Sequence, residues 1–598
     1  MKPAKWIWQY INPYKWHFIM GLLLNACAVL LALSTAFFMG MIAKEVFQEG
    51  NIDALPRLLF MMVGATVLKH ILRYIYLTTF ESVSQRILLK LRNDIYRRVQ
   101  EQSFRFFDTN KVGDVMSRMT GDLDSIRHMC AGVIYSVFEN VLTFLVAVAL
   151  IVSYSWELAL ALLCVAPFVA RLAFLQAKNI KPYFARIREQ FSKLNSVCQE
   201  NISGNRIVKA FTREEYEIEK FQAENQAFYD ANIDSSTVWL KYLPKQDFAA
   251  GFLSVLLVLI GGIFTITGRI ELYELIIVNG YLWAVNNPMR MFGWLVNDIQ
   301  RFVASLDKIY ALMREKIDVK NPEKPYIPSG RVKGAVEFRN VTFSYDKFRK
   351  TPIALKELSF KIPAGGTVGI VGATGSGKTT VANLLCRFYD VLEGEVLVDG
   401  VDVRKYDLAT LRHSIGTAMQ DVFLFSDTIE GNLAYGVPET PTDDLIRAAK
   451  TADADGFIRQ TTDGYDTIVG ERGVGLSGGQ RQRLSLARAL ATNPSILILD
   501  DTTSAVDMET EHEIQTALER DYPSITKFII AHRISSVKPA DLILVLEDGE
   551  LIESGTHDEL IAQGGHYAGL FNIQYGAFNE REAAKAFALE GGAFHGAQ

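Results

Sequence analysis

Residues 366–385, GTVGIVGATGSGKTTVANLL, decide how the C-terminal half of the chain folds. TVGIV reads as a buried strand and VANLL as the body of a helix, with a glycine-rich loop between them. In and after that loop, Gly372, Thr374, Gly375, Ser376, Gly377, Lys378, Thr379 and Thr380 carry a GxxxxGK[ST] pattern. Glycines let successive backbone N–H groups point at phosphate oxygens. The lysine reaches the β- and γ-phosphates, and the Thr379 hydroxyl holds Mg²⁺. With glycine near 7% of average composition, chance places such a pattern in roughly one chain in fifty of this length. The strand and helix around it make coincidence rarer still. The loop predicts ATP and Mg²⁺ as ligands.

About 120 residues further on stands ILILDDTTSAVD, residues 496–507. The aliphatic run reads as a buried strand ending at Asp500, an acid placed to ligate Mg²⁺. Asp501 follows, where a second acid would orient the attacking water. Between the two segments lies LSGGQRQRLSLARAL, residues 476–490. Leu484, Leu486, Ala487 and Leu490 recur at helical spacing, so Ser477, Gly478 and Gly479 stand at a helix N-terminus. Backbone N–H groups and the Ser477 hydroxyl there make a second anion site. β-rich segments alternate with amphipathic helices over residues 334–575, which predicts an α/β domain with a largely parallel sheet. Pro322, Pro325, Pro328 and Gly330 mark a linker over residues 316–333.

The first 315 residues read differently. Of the whole chain, 49% is apolar, and the excess lies in this half. Trp16–Ala43 carries no Asp, Glu, Lys or Arg, and about 20 such residues cross a bilayer. The run is too long for a signal-peptide core. Further spans are expected near residues 57–80, 131–154, 156–177, 247–269 and 273–296, giving an all-α domain of six spans. The long connections after spans two and four are rich in Lys and Arg, among them Arg86, Lys90, Arg92, Arg97, Arg98, Arg105 and Lys111. Basic residues beside span ends mark the cytoplasmic side. Both termini and the α/β domain are therefore expected inside a cytoplasmic (inner) membrane, with KPAKWIWQYINPYKW as an interfacial helix. Glu139 and Asn140 fall mid-span, and Asn286, Asn287 and Asn297 lie in or near the last span. An intramembrane carboxyl is either a pathway group or a helix-to-helix hydrogen bond.

A net charge of −5 gives no basic field, so nucleic acid is not an expected partner. Cys27, Cys130, Cys164, Cys198 and Cys386 show no metal-binding or disulfide spacing.

Taken together, these motifs resemble an ATP-binding cassette exporter half-transporter, over essentially the whole chain to about residue 575. LSGGQ (Leu476, Ser477, Gly478, Gly479, Gln480) is that family's signature. The resemblance implies roles for further residues: Tyr345 stacks on adenine, and Gln420 contacts Mg²⁺ and the membrane domain. Ser504, Ala505 and Asp507 form the D-loop, and His532 contacts the γ-phosphate. In TIVGERG, Glu471 and Arg472 match a segment that touches the cytoplasmic loops. It also implies short coupling helices near Arg118–Asp124 and Phe211–Tyr216. In the family each ATP lies between one subunit's P-loop and the other's LSGGQ, which explains two phosphate sites on one domain and implies a dimer.

One position departs from the pattern. The acid after the Mg²⁺ ligand is usually glutamate, and Asp501 is one methylene shorter, withdrawing its carboxylate by roughly 1–1.5 Å. A positioned base contributes typically about 10²–10⁴-fold. The combination resembles the degenerate-site subunit of bacterial heterodimeric multidrug exporters, with a second half-transporter as partner. A homodimer and an ATP-gated regulatory or channel-like membrane protein are the alternatives. Six spans exclude the soluble cassette ATPases. Aromatic and methionine side chains in the spans, such as Phe138, Tyr281, Trp283, Met289, Met291, Phe292 and Trp294, suit an apolar, adaptable cavity for amphiphilic drugs, lipids or peptides, and lipid-facing packing explains most of them equally well. Absence of a peptidase domain ahead of the spans counts against peptide processing. Residues 576–598 form an unassigned C-terminal tail, expected to be disordered.

Overall fold

The computed structural model describes residues 2–346, 352–470 and 473–576. It divides into two compact units: residues 1–100 with 111–315, and residues 101–110 with those from 316 onward.

The first unit is helical. Stretches Pro3–Gln48, Ala54–Gln100, Val112–Tyr154 and Glu214–Ile266 are long and apolar enough to cross a membrane by length and composition. The other two expected spans are also helical. One begins as Trp156–Leu163, breaks ahead of Pro167, and resumes as Ala166–Ser203. The other is Leu272–Arg314, which carries Pro288 and several polar residues. Three of these helices carry an internal proline, Pro182, Pro244 and Pro288. The segment expected to be interfacial is helical over Pro3–Ile11, burying Trp6, Ile7 and Tyr10, with Tyr10 donating to Asp94 at 2.9 Å. Small residues set how closely helices approach. A Cβ on Gly280 would sit 2.5 Å from the Ala36 Cβ, so Leu272–Arg314 and Lys15–Ile42 meet backbone to backbone there.

The second unit contains two sheets. Strands β1 (Val336–Phe343), β2 (Leu355–Ile362), β4 (Glu393–Val398) and β5 (Val401–Asp402) form an antiparallel sheet in the order β2-β1-β4-β5. The larger sheet runs β10-β9-β3-β8-β7-β6, using β3 (Thr367–Gly372), β6 (Ile415–Ala418), β7 (Ile496–Asp500), β8 (Thr526–Ile530), β9 (Leu542–Glu547) and β10 (Glu550–Gly555). All its pairings are parallel except β9 with β10. The expected largely parallel sheet is present, and β7 is buried at every residue. The antiparallel sheet was not anticipated. Its faces close a core with Val368, Ile370, Leu384, Leu385, Ile498 and Phe528.

Coupling segments differ from expectation. Arg118–Asp122 is a π-helical turn within the long helical stretch Val112–Tyr154 of the first unit. The short helix packed into the nucleotide unit is instead Phe104–Thr109. Its Phe104 ring stacks on Phe388 at 4.2 Å, Phe106 is buried, and Arg105 pairs with Asp318 at 3.5 Å. The aromatic area of FRFF holds this helix in the nucleotide unit, ahead of the residues 118–124 that the family resemblance pointed to. At the other expected site, Phe211–Arg213 is a turn between Asn205–Ala210 and Glu214–Ile266, with Ile207, Phe211 and Tyr216 exposed.

Candidate nucleotide site

Sheet topology assembles the site. Ile370 pairs with Ile530, Ile530 with Asp500, and Leu499 with Ala418. The segments leaving β3, β8, β7 and β6 therefore emerge side by side at one sheet edge, the carboxyl ends of parallel strands where α/β proteins hold ligands. This edge gathers the P-loop, His532, Asp500 with Asp501, and Gln420, although they are up to 160 residues apart in sequence.

The P-loop fits a polyphosphate. Gly372, Gly375 and Gly377 have φ of 151°, 84° and 101°, a region open to glycine and costly for other residues. A Cβ on Gly372 would lie 2.1 Å from the Leu546 carbonyl oxygen, and one on Gly377 would lie 2.6 Å from that of Ala354. Lys378 folds over the loop, donating to the carbonyls of Gly372 (2.9 Å) and Ala373 (2.7 Å). Ser376 Oγ is buried without a hydrogen-bond partner, an arrangement that normally awaits one. Thr374 and Thr379 are exposed beside it.

Charges here are undercompensated in both directions. Burial pushes the Asp500 carboxyl above its ordinary range. A hydrogen bond from Thr379 opposes this, Asp501 adds to it, and Lys378 and His532 oppose it. Burial pulls the Lys378 ammonium below its ordinary range, against the attraction of Asp500 and Asp501. A buried acid and a buried base whose mutual attraction does not offset their burial suit a bound metal–phosphate pair. No cluster of three or more His, Cys, Asp or Glu is placed to hold a metal among the described residues. A single carboxylate plus a hydroxyl matches Mg²⁺, which keeps waters and phosphate oxygens as ligands.

Tyr345 remains 37% exposed. Its hydroxyl lies 3.1 Å from Thr380 Oγ1, and its ring packs edge-on against Phe343 and Tyr389 at 4.9 and 5.1 Å. A rigid aromatic surface is thus fixed beside the P-loop helix.

LSGGQ starts the helix Gly478–Ala491 with a reciprocal cap. Ser477 Oγ accepts from the Gln480 N–H at 3.2 Å, and Gln480 Oε1 accepts from the Ser477 N–H at 2.8 Å. The hydroxyl hydrogen of Ser477 stays available to donate. Gly479 lies against the D-loop, where a Cβ would meet the Ala505 carbonyl oxygen at 2.9 Å. Asp507 caps the next helix, accepting from Thr510 N–H at 2.9 Å.

Sequence reasoning missed four residues of this region. Gln482 is buried, donates to Ser504 Oγ (3.0 Å) and accepts from the Ala505 N–H (3.0 Å). It thereby ties the signature helix to the D-loop. Glu511 is also buried, accepting from Thr503 (3.0 Å), Ser536 and Arg533. Arg533 in turn reaches the Val506 carbonyl. Gln574 accepts from the Ile534 N–H at 3.0 Å and donates to the His532 carbonyl at 2.8 Å. The run IIAHRIS gives no sign of this clamp, which arrives from 40 residues away. Glu471, Arg472 and the tail from residue 577 lie outside the described residues.

A helical membrane unit joined to a P-loop α/β unit bearing a second phosphate-type helix terminus defines an ATP-powered membrane transport protein. Residues 18–289 match the family described as ABC transporter transmembrane region, and residues 355–504 match that described as ABC transporter. The ABC transporter ATP-binding protein YknU of Bacillus subtilis is 36% identical, covering 95% of this chain and 96% of its own. The ATP-dependent lipid A-core flippase of Syntrophus aciditrophicus is 33% identical over 94% of this chain and 93% of that one. A solved bacterial Atm1-family ABC exporter with ATP bound superposes with a TM-score of 0.80 at 28% identity, covering 94% of this chain and 99% of that one. The chain belongs to the ABC transporter family, and its fold is that of an ABC exporter.

Proposed function

We propose that this chain is one subunit of a heterodimeric exporter of amphiphilic molecules, and that its own P-loop site binds ATP but turns it over slowly. The observation that carries this reading is Asp501 beside an intact LSGGQ. The P-loop backbone and Lys378 hold the phosphates, Tyr345 stacks on adenine, and Thr379, Asp500 and Gln420 hold Mg²⁺. When bound, Mg²⁺ neutralises charge on the phosphate oxygens. His532 faces the γ-phosphate. Asp501 stands in the water-orienting position with a shortened reach, and misplacement by about 1 Å costs about 10²-fold. Leu476–Gln480, with Ser504, Ala505 and Asp507, serves the partner's nucleotide, where a normal glutamate completes the site.

Several observations support the substrate class and topology. Relatives of similar length include lipid A-core flippases and a putative multidrug export protein of Bacillus subtilis. Amphiphiles are the class common to those names. The basic connections support a topology with both termini and the nucleotide unit on the cytoplasmic side of the inner membrane. The exposed tip with Ile207, Phe211 and Tyr216 suits docking on the partner's nucleotide unit.

Purifying this chain alone, and together with a half-transporter encoded beside it, tests the proposal. Stable co-purification, with ATPase and vesicle transport only in the pair, is expected. Brisk turnover and transport by this chain alone would establish a homodimer and overturn it.

A further inference from the structure

Glu139 lies in the helix Ile134–Tyr154, inside the third expected span. Its Oε2 accepts from Asn25 Nδ2 at 3.1 Å and from the Tyr76 hydroxyl at 3.4 Å. Asn25 is 0% exposed, and its Oδ1 is buried with no hydrogen-bond partner. Glu139 itself is half-buried, and no ion pair to it is formed among the described residues.

Aromatic rings surround this pair. Tyr135, one turn before Glu139, packs on Tyr76 at 5.6 Å and on Phe80 at 5.4 Å. Phe80 is fixed against Gly21, where a Cβ would meet its ring at 2.7 Å. The cluster therefore offers a carboxylate, an orphaned amide oxygen and aromatic faces. All of these present negative potential; Asn25 Nδ2 and the Tyr76 hydroxyl donate to the carboxylate, and Asn25 Oδ1 is left without a donor. Helix-to-helix hydrogen bonding alone would have been served by an uncharged residue at 139 without leaving Asn25 Oδ1 unmatched.

From this excess of acceptors we infer that Asn25, Tyr76, Tyr135 and Glu139 form an intramembrane site for a hydrophobic organic cation of the ammonium class. Glu139 provides the counter-charge, the aromatic faces hold the cation's apolar body, and Asn25 Oδ1 accepts from an N–H. The inference rests on the export of amphiphiles proposed above and names the charge of those the chain would select.

The test is equilibrium binding to the full chain in lipid nanodiscs, read by quenching of protein fluorescence and corrected with empty nanodiscs. Ethidium is the N–H-bearing cation, tetraphenylphosphonium a cation without donors, and tetraphenylborate an anion of the same size and shape. Glu139→Gln is expected to weaken both cations by about 10-fold or more and to change tetraphenylborate by less than about 2-fold. Asn25→Ala should weaken ethidium more than tetraphenylphosphonium. Unchanged cation affinity in Glu139→Gln would mean that the carboxyl holds only a proton, and equal loss of all three probes would mean a packing role. Either result overturns the site. If Glu139→Gln does not fold, Glu139→Asp keeps the charge with shorter reach. It should weaken only the cations, and loss of all three probes or none again overturns the site. Binding is read without turnover, so cations that bind but are not transported would refute the export reading and leave the site standing.

Discussion

Asp501 occupies a left-handed backbone position, φ 49°, with its N–H donating to Ile530 O at 2.8 Å. Short acids tolerate that conformation better than most residues, so the strand end accommodates aspartate with less strain than a longer or branched side chain, whatever this does to chemistry. Replacing Asp501 by alanine in the assembled transporter is expected to lower ATPase by less than about 3-fold. Loss of the partner's glutamate should cost about 10²-fold or more. Initial rates of the two purified variants decide this, and equal losses would contradict an asymmetric pair. Gly372→Ala behaves differently, because its Cβ has only 2.1 Å to the Leu546 carbonyl oxygen. Nucleotide affinity should fall by about 10²-fold or beyond detection in titrations with a fluorescent ATP analogue. Lys378 adds a pH dependence. Burial lowers its pKa, against the attraction of Asp500 and Asp501, so its charge is lost, as pH rises, earlier than in an ordinary lysine. ATP affinity should therefore weaken towards alkaline pH before free lysine would titrate.

Helix Gly478–Ala491 and the D-loop behave as one element because Gln482 bridges them and Gly479 lets them touch. Gln482→Leu keeps the volume but leaves the Ala505 N–H without its acceptor, which costs about 1–3 kcal/mol when buried. A lowered thermal midpoint is expected, with ATPase reduced about 10-fold and P-loop nucleotide affinity preserved. The segment carrying Gln574 clamps the backbone on both sides of the His532–Arg533 bond. Two hydrogen bonds of about 1 kcal/mol each make Gln574→Ala worth about 5- to 30-fold in kcat, with little change in KM. Elements like these show the limit of reading the chain alone. The P-loop, β7 and the LSGGQ helix were legible because each joins a local periodicity to a chemical motif within 20 residues. Gln482, Glu511 and Gln574 look like ordinary polar positions until the fold brings in a backbone group from elsewhere. Similarly, FRFF at 104–107 gave up its role only when Phe388 faced it.

Across the molecule, the question is how events at ATP reach the segments that connect to the membrane helices. Within the nucleotide unit a continuous line exists. Asp108, on the helix Phe104–Thr109, accepts from the Tyr389 hydroxyl at 2.7 Å. Tyr389 packs edge-on against Tyr345 at 5.1 Å, and the Tyr345 hydroxyl meets Thr380 of the P-loop helix at 3.1 Å. Chain continuity then leads from residue 104 back to the helix Ala54–Gln100, which carries the second expected span. Order in sequence hid this line, because Asp108 and Tyr389 are 281 residues apart. Spatial continuity alone does not establish coupling, which has to be measured as an interaction energy. Tyr389→Phe removes only the hydroxyl, and Asp108→Asn weakens its acceptor, while neither touches the P-loop. Each single change is expected to leave ATP affinity within about 2-fold and to reduce stimulation of ATPase by a transported amphiphile. The double change should add little to either single one, giving an interaction energy of about 0.5–2 kcal/mol. Strictly additive losses would show that the two residues act separately, and that nucleotide state reaches the membrane helices by another route.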